Sequence, residues 1–477
     1  MNKSEISVHI PPLMWQQIRQ AMLAARSKHE ETIGFLFCNR DRVSKHHTRY
    51  LPQAWVVPTP DCYELQSVSG LMLKQDFHLY LLNNFLRERQ LDVVHLHTHA
   101  GGEFPIFSAV DDRAESDYAR FLNSEFSSKP RLISGVFDET LQHGHFRRWN
   151  RKGTESEPVT CYNSWLELPP ISIDQQHQMV GSAPFREGGG YANDYAQGKP
   201  LTNHPEPMFA RQTIFGETAQ QQLGNLTVAL IGCGGIGSIF AETLGRLGVK
   251  KWILVDPDRL ETVNLNRMPG ATAQMVEDGW AKVDYVEYLI DQIYPNRTNV
   301  TAVPDAIANV TSQIATADLI VVATDNHSSR QIAQEIALKY LRPLVCLGTH
   351  IDVKPDGTPR MYARVTVPPL GGGWCLMCGN IINLQRAALE SAPGAIDLMA
   401  TTAGYLDGVN DPAVFWLNGI CASTGVGIIH GIVSGFVDID GGMDWIYEFP
   451  SSDWRKMNPE YLHTDDCYFC SPHSHDD

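Results

Sequence analysis

At 477 residues, with 43% hydrophobic and 9% aromatic content, the chain has material for two cores, because single cores stop growing near about 250 to 300 residues. A formal charge of -16 argues against general binding to nucleic acid or anionic membranes, whose fields it would oppose. Ten cysteines are too few for a disulfide scaffold, no basic-then-apolar leader pattern opens the chain, and the Gly-rich run 425–437 is short and broken by His430; the expectation is a soluble, cytoplasmic protein.

In chain order, residues 12–28 carry helical spacing and lead into an apolar strand-like run at 32–38. A second run, LeuAspValValHisLeuHisThrHis, covers 91–99; a helical stretch at about 109–124 and a third run at 131–137 follow. Residues 1–170 therefore read as an α+β domain. Residues 171–205 turn to Gly, Pro, Asn and Gln without apolar periodicity and read as a linker. From 206 to 477, apolar strands at 226–231, 251–255, 318–323 and 343–347 alternate with helical stretches, which predicts an α/β domain with a mostly parallel sheet.

Period-two alternation puts His95, His97 and His99 on one face of a strand, where two imidazoles can chelate one ion. Catalytic zinc takes three protein ligands and keeps one position open, and SerAlaValAsp (108–111) offers Asp111 as the third. A water acidified by zinc still needs a base, for which Glu31 is placed in sequence, and Ser108 can hydrogen-bond a developing oxyanion. SerAlaValAsp by itself is also a helix capping box.

Glu31-x-x-Gly34, His97-x-His99 and Ser108-x-x-Asp111 together resemble the JAMM (Mov34/MPN) metalloprotease family over about the first 165 residues. The resemblance implies hydrolysis of isopeptide or peptide bonds after the C-terminal glycine of a ubiquitin-like protein, with His97, His99 and Asp111 on zinc, Glu31 as base and Ser108 on the oxyanion. Eleven residues separate His99 from Asp111 where the family has ten, and Ala100 stands where Pro is usual. Pairing His95 with His97 restores the spacing but places Ser108, a poor zinc ligand, at the third position. A zinc-free binding module is the other reading of this half.

GlyCysGlyGlyIleGly (232–237) follows a strand and opens a helix, so Gly232, Gly234, Gly235 and Gly237 let backbone N–H groups approach nucleotide phosphates. Asp256 ends the next strand, where a carboxylate accepts ribose hydroxyls. A dehydrogenase would share these features. AspProAspArgLeuGluThrValAsnLeuAsnArg (256–267), AspGlyTrpAlaLys (278–282) and AlaThrAspAsn (323–326) break the tie. Attack of a carboxylate on an α-phosphate builds negative charge, for which Arg267 and Lys282 are suited, with Asp325 on magnesium and Asn264 orienting phosphates. Asp258 and Asn326 complete the nucleotide set.

These spacings resemble the ThiF/MoeB family, which includes the adenylation domains of ubiquitin-activating enzymes. The resemblance implies ATP and Mg as cofactors and a homodimer in which Arg211, beside Gln212, reaches into the partner subunit's site. Cys375, Cys378, Cys467 and Cys470 can supply a tetrahedral thiolate set for structural zinc, as in the family. If the acyl group passes to a thiol, Cys421 is the cysteine left after Cys346 in a strand and Cys233 in the phosphate loop, although a packed small residue at a helix start explains it equally.

The expectation is thus a bifunctional enzyme of a bacterial-type ubiquitin-like pathway: a zinc isopeptidase joined to an adenylyltransferase for a C-terminal glycine, with a conjugating enzyme as a further partner. Activation of a sulfur-carrier protein for thiocarboxylate formation is the alternative, since no recruitment segment follows Cys470.

Overall fold

The structure is a computed structural model that describes residues 5–26, 30–43, 46–67, 70–99, 105–164, 166, 206–354, 356–391, 412–459, 463 and 467–470. It divides into two compact units, centred on Met1–Glu167 and Gly190–Asp477. The segment read as a linker, 171–205, lies outside the described residues, as do Ala100 and the tail after Cys470.

In the first unit the strands are β1 (Glu5–His9), β2 (Ile33–Asp41), β3 (His47–Val56), β4 (Tyr63–Gln66), β5 (Leu71–Leu73), β6 (Asp92–Thr98), β7 (Leu132–Phe137), β8 (Gly144–Trp149) and β9 (Ser156–Tyr162). Seven of them close a barrel in the order β1-β3-β2-β6-β7-β8-β9, with β4 and β5 as a separate hairpin. Closure depends on β1, which pairs in parallel with both β3 and β9. This refines the α+β expectation: the strands form a closed wall, with helices packed on it.

β2 is apolar on both faces because both are covered. Leu36 and Cys38 join a core with Trp15 and Ile18 of the helix Pro12–Ala24, whereas Ile33, Phe35 and Phe37 join a second core that includes Ala119 and Leu122 of the helix Ala109–Glu125. β6 divides the same way. Val94 and Leu96 face the first core and Val93 the second, so alternation turns His95 and His97 toward the Ala109–Glu125 side.

The second unit is one eight-stranded sheet in the order β12-β11-β10-β13-β14-β15-β16-β17. Its strands are β10 (Thr227–Ile231), β11 (Lys251–Val255), β12 (Asn299–Val303), β13 (Leu319–Val322), β14 (Leu344–Val353), β15 (Pro359–Val367), β16 (Met443–Phe449) and β17 (Asp453–Lys456). β12 through β14 pair in parallel, and β15 to β17 form an antiparallel wing. Strand order reverses between β10 and β13, which leaves a crevice at their carboxyl ends, the usual place for a nucleotide in such sheets.

The helix Phe415–Val433 is long and apolar enough to cross a membrane by composition. Here it packs against the helix Gly235–Leu247 and against β14 and β15, burying Leu417, Cys421, Val426 and Ile429. A helix apolar all round suits a core position equally well.

Candidate functional sites

The histidine strand and the helix Ala109–Glu125 build the first constellation. Ser108 caps that helix: its hydroxyl accepts the Asp111 N–H at 3.2 Å while Asp111 Oδ2 accepts the Ser108 N–H at 2.6 Å. Such a box is worth about 1 kcal/mol to the helix. It also aims the carboxylate. Asp111 Oδ1 lies 3.4 Å from His97 Nε2, and Oδ2 lies 3.3 Å from His99 Nε2. One donor atom from each of His97, His99 and Asp111 fits within 4.8 Å of the others.

The donor set fits zinc. His97 is 4% exposed, yet neither of its ring nitrogens has a hydrogen-bond partner; a cation bound beside Asp111 would satisfy one of the two, Nε2. Burial raises the Asp111 carboxyl, but His97 and His99 outweigh it and hold the group far below its ordinary range, so it is ionised. Asp111 in turn raises His99 against the effect of burial.

Glu31 is fixed beside this set through its backbone. Its N–H donates to Ser67 O at 2.9 Å, and Gln66 Nε2 donates to its carbonyl at 3.1 Å. The next residue is locked to the histidine strand: Thr32 N–H donates to Thr98 Oγ1 at 2.9 Å and Thr98 N–H to Thr32 O at 3.0 Å. Burial raises the Glu31 carboxyl, and the nearby His99 and His97 partly offset that rise. A carboxyl shifted upward is a better proton acceptor. Ser108 uses only an acceptor site in its cap, which leaves its hydroxyl proton to donate.

Sequence reasoning overlooked a second acidic position. Asp111, Glu115, Ala119 and Leu122 form one stripe of their helix, and Glu115 is 4% exposed. Its Oε2 accepts from Arg147 Nε and from Trp149 Nε1, both at 2.8 Å. Spacing of four from Asp111 was the available signal. His95, on the same strand face, is kept neutral, pushed down to about 3 by burial and then by His97.

In the second unit the glycines after β10 have distinct tasks. Gly232 has φ +94°, and a Cβ there would lie 2.9 Å from the Ala323 backbone; on Gly235 it would lie 2.6 Å from Asn418 Nδ2; on Gly237 it would overlap Gly232 O. Around Gly234 nothing lies within 4 Å. Three glycines therefore close the loop, and the fourth faces open space at the N-terminus of the helix Gly235–Leu247, where phosphate oxygens are favoured.

Asp256 accepts the Cys233 N–H at 2.7 Å and the Asp258 N–H at 2.9 Å, so it shapes this loop and retains a lone pair at each oxygen for a ribose. Lys282 starts the helix Lys282–Ile293 and donates to Asp258 Oδ2 at 2.7 Å. Burial lowers the Lys282 ammonium, but Asp256, Asp258 and Asp325 raise it further, so it is charged. Arg267 lies against Gly235, its Cγ 3.2 Å from the position of a Cβ there, and also donates to Val263 O. Asp325 is exposed at the loop after β13.

Other members of the expected set have structural duties. Asn264 is 6% exposed, and its side chain accepts the Glu261 N–H at 2.9 Å, forming the turn that carries Arg267. Asn326 caps the helix His327–Lys339, its Oδ1 accepting the Ser329 N–H at 2.8 Å. Arg211 is exposed on the segment before the helix Glu217–Asn225. Asn418, missed in the sequence because it sits in an apolar helix, presents Nδ2 to Gly235 and accepts from Thr349 Oγ1 at 3.2 Å.

Cys375, Cys378, Cys467 and Cys470 converge, with sulfur-to-sulfur distances of 3.6 to 3.8 Å. A tetrahedron with Zn–S near about 2.3 Å has edges of about 3.8 Å, so the set fits structural zinc. His463 lies against it, with Nδ1 3.5 Å from Cys378 Sγ and 3.4 Å from Cys470 Sγ. It too was absent from the sequence reading.

Cys421 requires a correction. It sits inside the helix Phe415–Val433 rather than at a helix start, is 0% exposed, and turns its thiol toward Gly348 O and Arg364 O. Burial pushes the thiol up to about 12. Such enclosure suits the packing role and disfavours attack by the sulfur.

Residues 209–403 match the ThiF family, so a ThiF-type domain occupies that part of the chain. The sulfur carrier protein ThiS adenylyltransferase of Bacillus subtilis is 30% identical over 183 residues, 36% of this chain and 54% of that protein. Ubiquitin-like modifier-activating enzyme 5 of Bombyx mori is 34% identical over 169 residues, 31% of this chain and 42% of that protein. The chain thus spans about half the length of these curated relatives. A crystal structure of E. coli MccB with ATP aligns at a TM-score of 0.44 and 16% identity, covering 55% of this chain and 74% of that one.

Proposed function

We propose that the chain joins a ThiF-type adenylyltransferase, acting on the C-terminal glycine of a ubiquitin-like or sulfur-carrier protein, to a zinc isopeptidase that acts at the same kind of C-terminus. The observation that carries the adenylation reading is the open space over Gly234, whose neighbour Cys233 lies by Asp256 and by a charged Lys282 that Asp258 and Asp325 also face. A carboxylate oxygen attacks the α-phosphorus, the bond to the bridging oxygen breaks, and pyrophosphate leaves. Lys282 shifts from Asp258 to the phosphates and, with Arg267, stabilises the charge that builds there. Asp325 is the carboxylate available for magnesium. Arg211 is the exposed cation that a homodimer would bring to its partner's site.

None of the second unit's cysteines (233, 346, 375, 378, 421, 467 and 470) is exposed. This favours release of the acyl adenylate to an outside thiol, sulfide or amine over a thioester on the chain itself. It also moves the sulfur-carrier reading level with the conjugation reading.

The isopeptidase reading rests on the convergence of His97, His99 and Asp111 beside Glu31. Zinc held there would supply Lewis acidity at the scissile carbonyl. Glu31 takes the proton of the attacking water and delivers it to the leaving amine, while Ser108 donates to the carbonyl oxygen. Such a domain would trim a precursor to its terminal glycine or remove conjugates.

The test is mass analysis of a small carrier protein ending in glycine after incubation with the chain and magnesium ATP. Gain of an adenylyl group supports the reading; ATP turnover without modified carrier contradicts it.

A further inference from the structure

The zinc reading of the first unit leaves one buried pair without explanation. His97 Nε2 faces Asp111, and its other nitrogen, Nδ1, is buried with no partner. One helical turn beyond Asp111, Glu115 Oε1 is likewise buried with no partner. A carboxylate oxygen of Glu115 and one ring nitrogen each of His95 and His97 lie within 4.8 Å of one another. Two orphaned groups, an acceptor and a ring nitrogen able to carry a proton, therefore sit across the same strand-to-helix interface. Desolvating both without joining them would cost about 1 to 3 kcal/mol each.

We propose that Glu115 is the positioning carboxylate of His97: it accepts the proton on Nδ1, which fixes the ring in the tautomer that presents the Nε2 lone pair to the metal. The inference rests on the zinc reading of this unit. It follows from the helix stripe itself. Residues four apart share a helix face, so a helix that brings Asp111 to one side of the His97 ring brings Glu115 against β6 one turn further in. Histidine ligands of zinc regularly give their second nitrogen to a carboxylate in this way, and loss of that partner weakens metal binding by about 10- to 100-fold.

The other role open to Glu115 is direct ligation of a second ion with His95 and His97. Arg147 opposes it. Its guanidinium lies on Oε2 of Glu115 through Nε at 2.8 Å and on Asp112 Oδ1 through Nη1 at 2.6 Å, and it stacks 3.7 Å from the centre of the Phe107 ring. A fixed cation on the same carboxylate repels a dication, whereas it suits an acceptor that must remain an anion. Phe107 also packs 6.1 Å from the His97 ring, so Arg147 braces both the carboxylate and the ring it serves.

The experiment titrates Co2+ into the full-length chain. Thiolate-bound cobalt absorbs strongly by charge transfer, while cobalt on imidazole and carboxylate gives weak d–d bands, so the two sites report separately. Expected results are 10- to 100-fold weaker binding at the imidazole site in Glu115→Gln, unchanged thiolate binding, and faster solvent exchange of the His97 ring proton in the cobalt-loaded protein. Glu115→Asp keeps the charge beside Arg147 but withdraws the oxygen from His97. It gives the same loss, and it carries the test if Glu115→Gln fails to fold. Affinity unchanged within twofold in the folded variants overturns the proposal, as does uptake of two ions by the first unit. A wild-type chain that takes up cobalt at the thiolates alone overturns the underlying zinc reading as well.

Discussion

Two glycine-to-alanine changes in one loop should have opposite consequences. At Gly232, alanine must adopt φ +94° and place its Cβ 2.9 Å from the carbonyl carbon and oxygen of Ala323. The left-handed backbone costs about 1 to 2 kcal/mol, and overpacking against backbone, which cannot rotate away, adds about 1 to 3 kcal/mol. Gly232→Ala should therefore lose about 2 to 5 kcal/mol of stability. At Gly234, φ is -81° and nothing lies within 4 Å, so alanine fits without strain and stabilises by about 0.4 to 1 kcal/mol through the unfolded chain. That new methyl group instead fills the space over the helix N-terminus. ATP binding should weaken at least about tenfold, or about 1.4 kcal/mol. Thermal unfolding and calorimetric ATP titration of both variants test this. Wild-type ATP affinity in a folded Gly234→Ala protein would refute the seating of the phosphates over this residue.

Cys421→Ala should leave carrier-dependent ATP–pyrophosphate exchange at the wild-type rate and cost about 1 kcal/mol of stability, as expected for a small buried side chain; loss of exchange in a folded variant would restore a chemical role. Cys467→Ser should reduce bound zinc by one ion per chain and lower the melting temperature, read by elemental analysis and calorimetry. Burial, reinforced by Asp438, pushes Asp440 up to about 6, above its unfolded value near about 3.9. The neutral form is thus favoured in the folded chain, and the associated stability, complete below about pH 4, is lost as pH rises through about 6. Asp440→Asn should stabilise the chain by about 1 to 2 kcal/mol at pH 8, allowing for solvent screening, and by nothing at pH 4. Denaturant titrations at the two pH values check the sign.

The second unit is legible in the sequence because its signals are local. A glycine loop follows a strand, acids end β11 and β13, and a lysine opens a helix, each within a few residues of the pattern that identifies it. β12 escaped notice because it is a half-exposed edge strand, and the joining of β15 to β16 because those two strands pair residues about 80 apart in sequence, as in Val365 opposite Trp445. Barrel closure was equally hidden: β1 meets β9 through pairs such as Val8 with Cys161, which no local periodicity reveals. The candidate ligands His97 and His99 were visible as alternation in one strand, yet the carboxylate and guanidinium behind them were not, since Glu115 and Arg147 read as ordinary charged surface until the helix stripe is folded against β6. The helix start expected at Cys421 lies instead at Phe415, six residues earlier, with no polar cap to announce it.

The central claim is that two chemistries reside in two independent constellations. Glu31→Gln and Asp325→Ala, compared in one zinc-loaded preparation each, test it with a carrier extended beyond its terminal glycine for cleavage and a mature carrier for ATP–pyrophosphate exchange. The account predicts that Glu31→Gln abolishes cleavage and leaves exchange intact, and that Asp325→Ala does the reverse. Loss of both activities in either folded variant, or cleavage that survives Glu31→Gln, would contradict it.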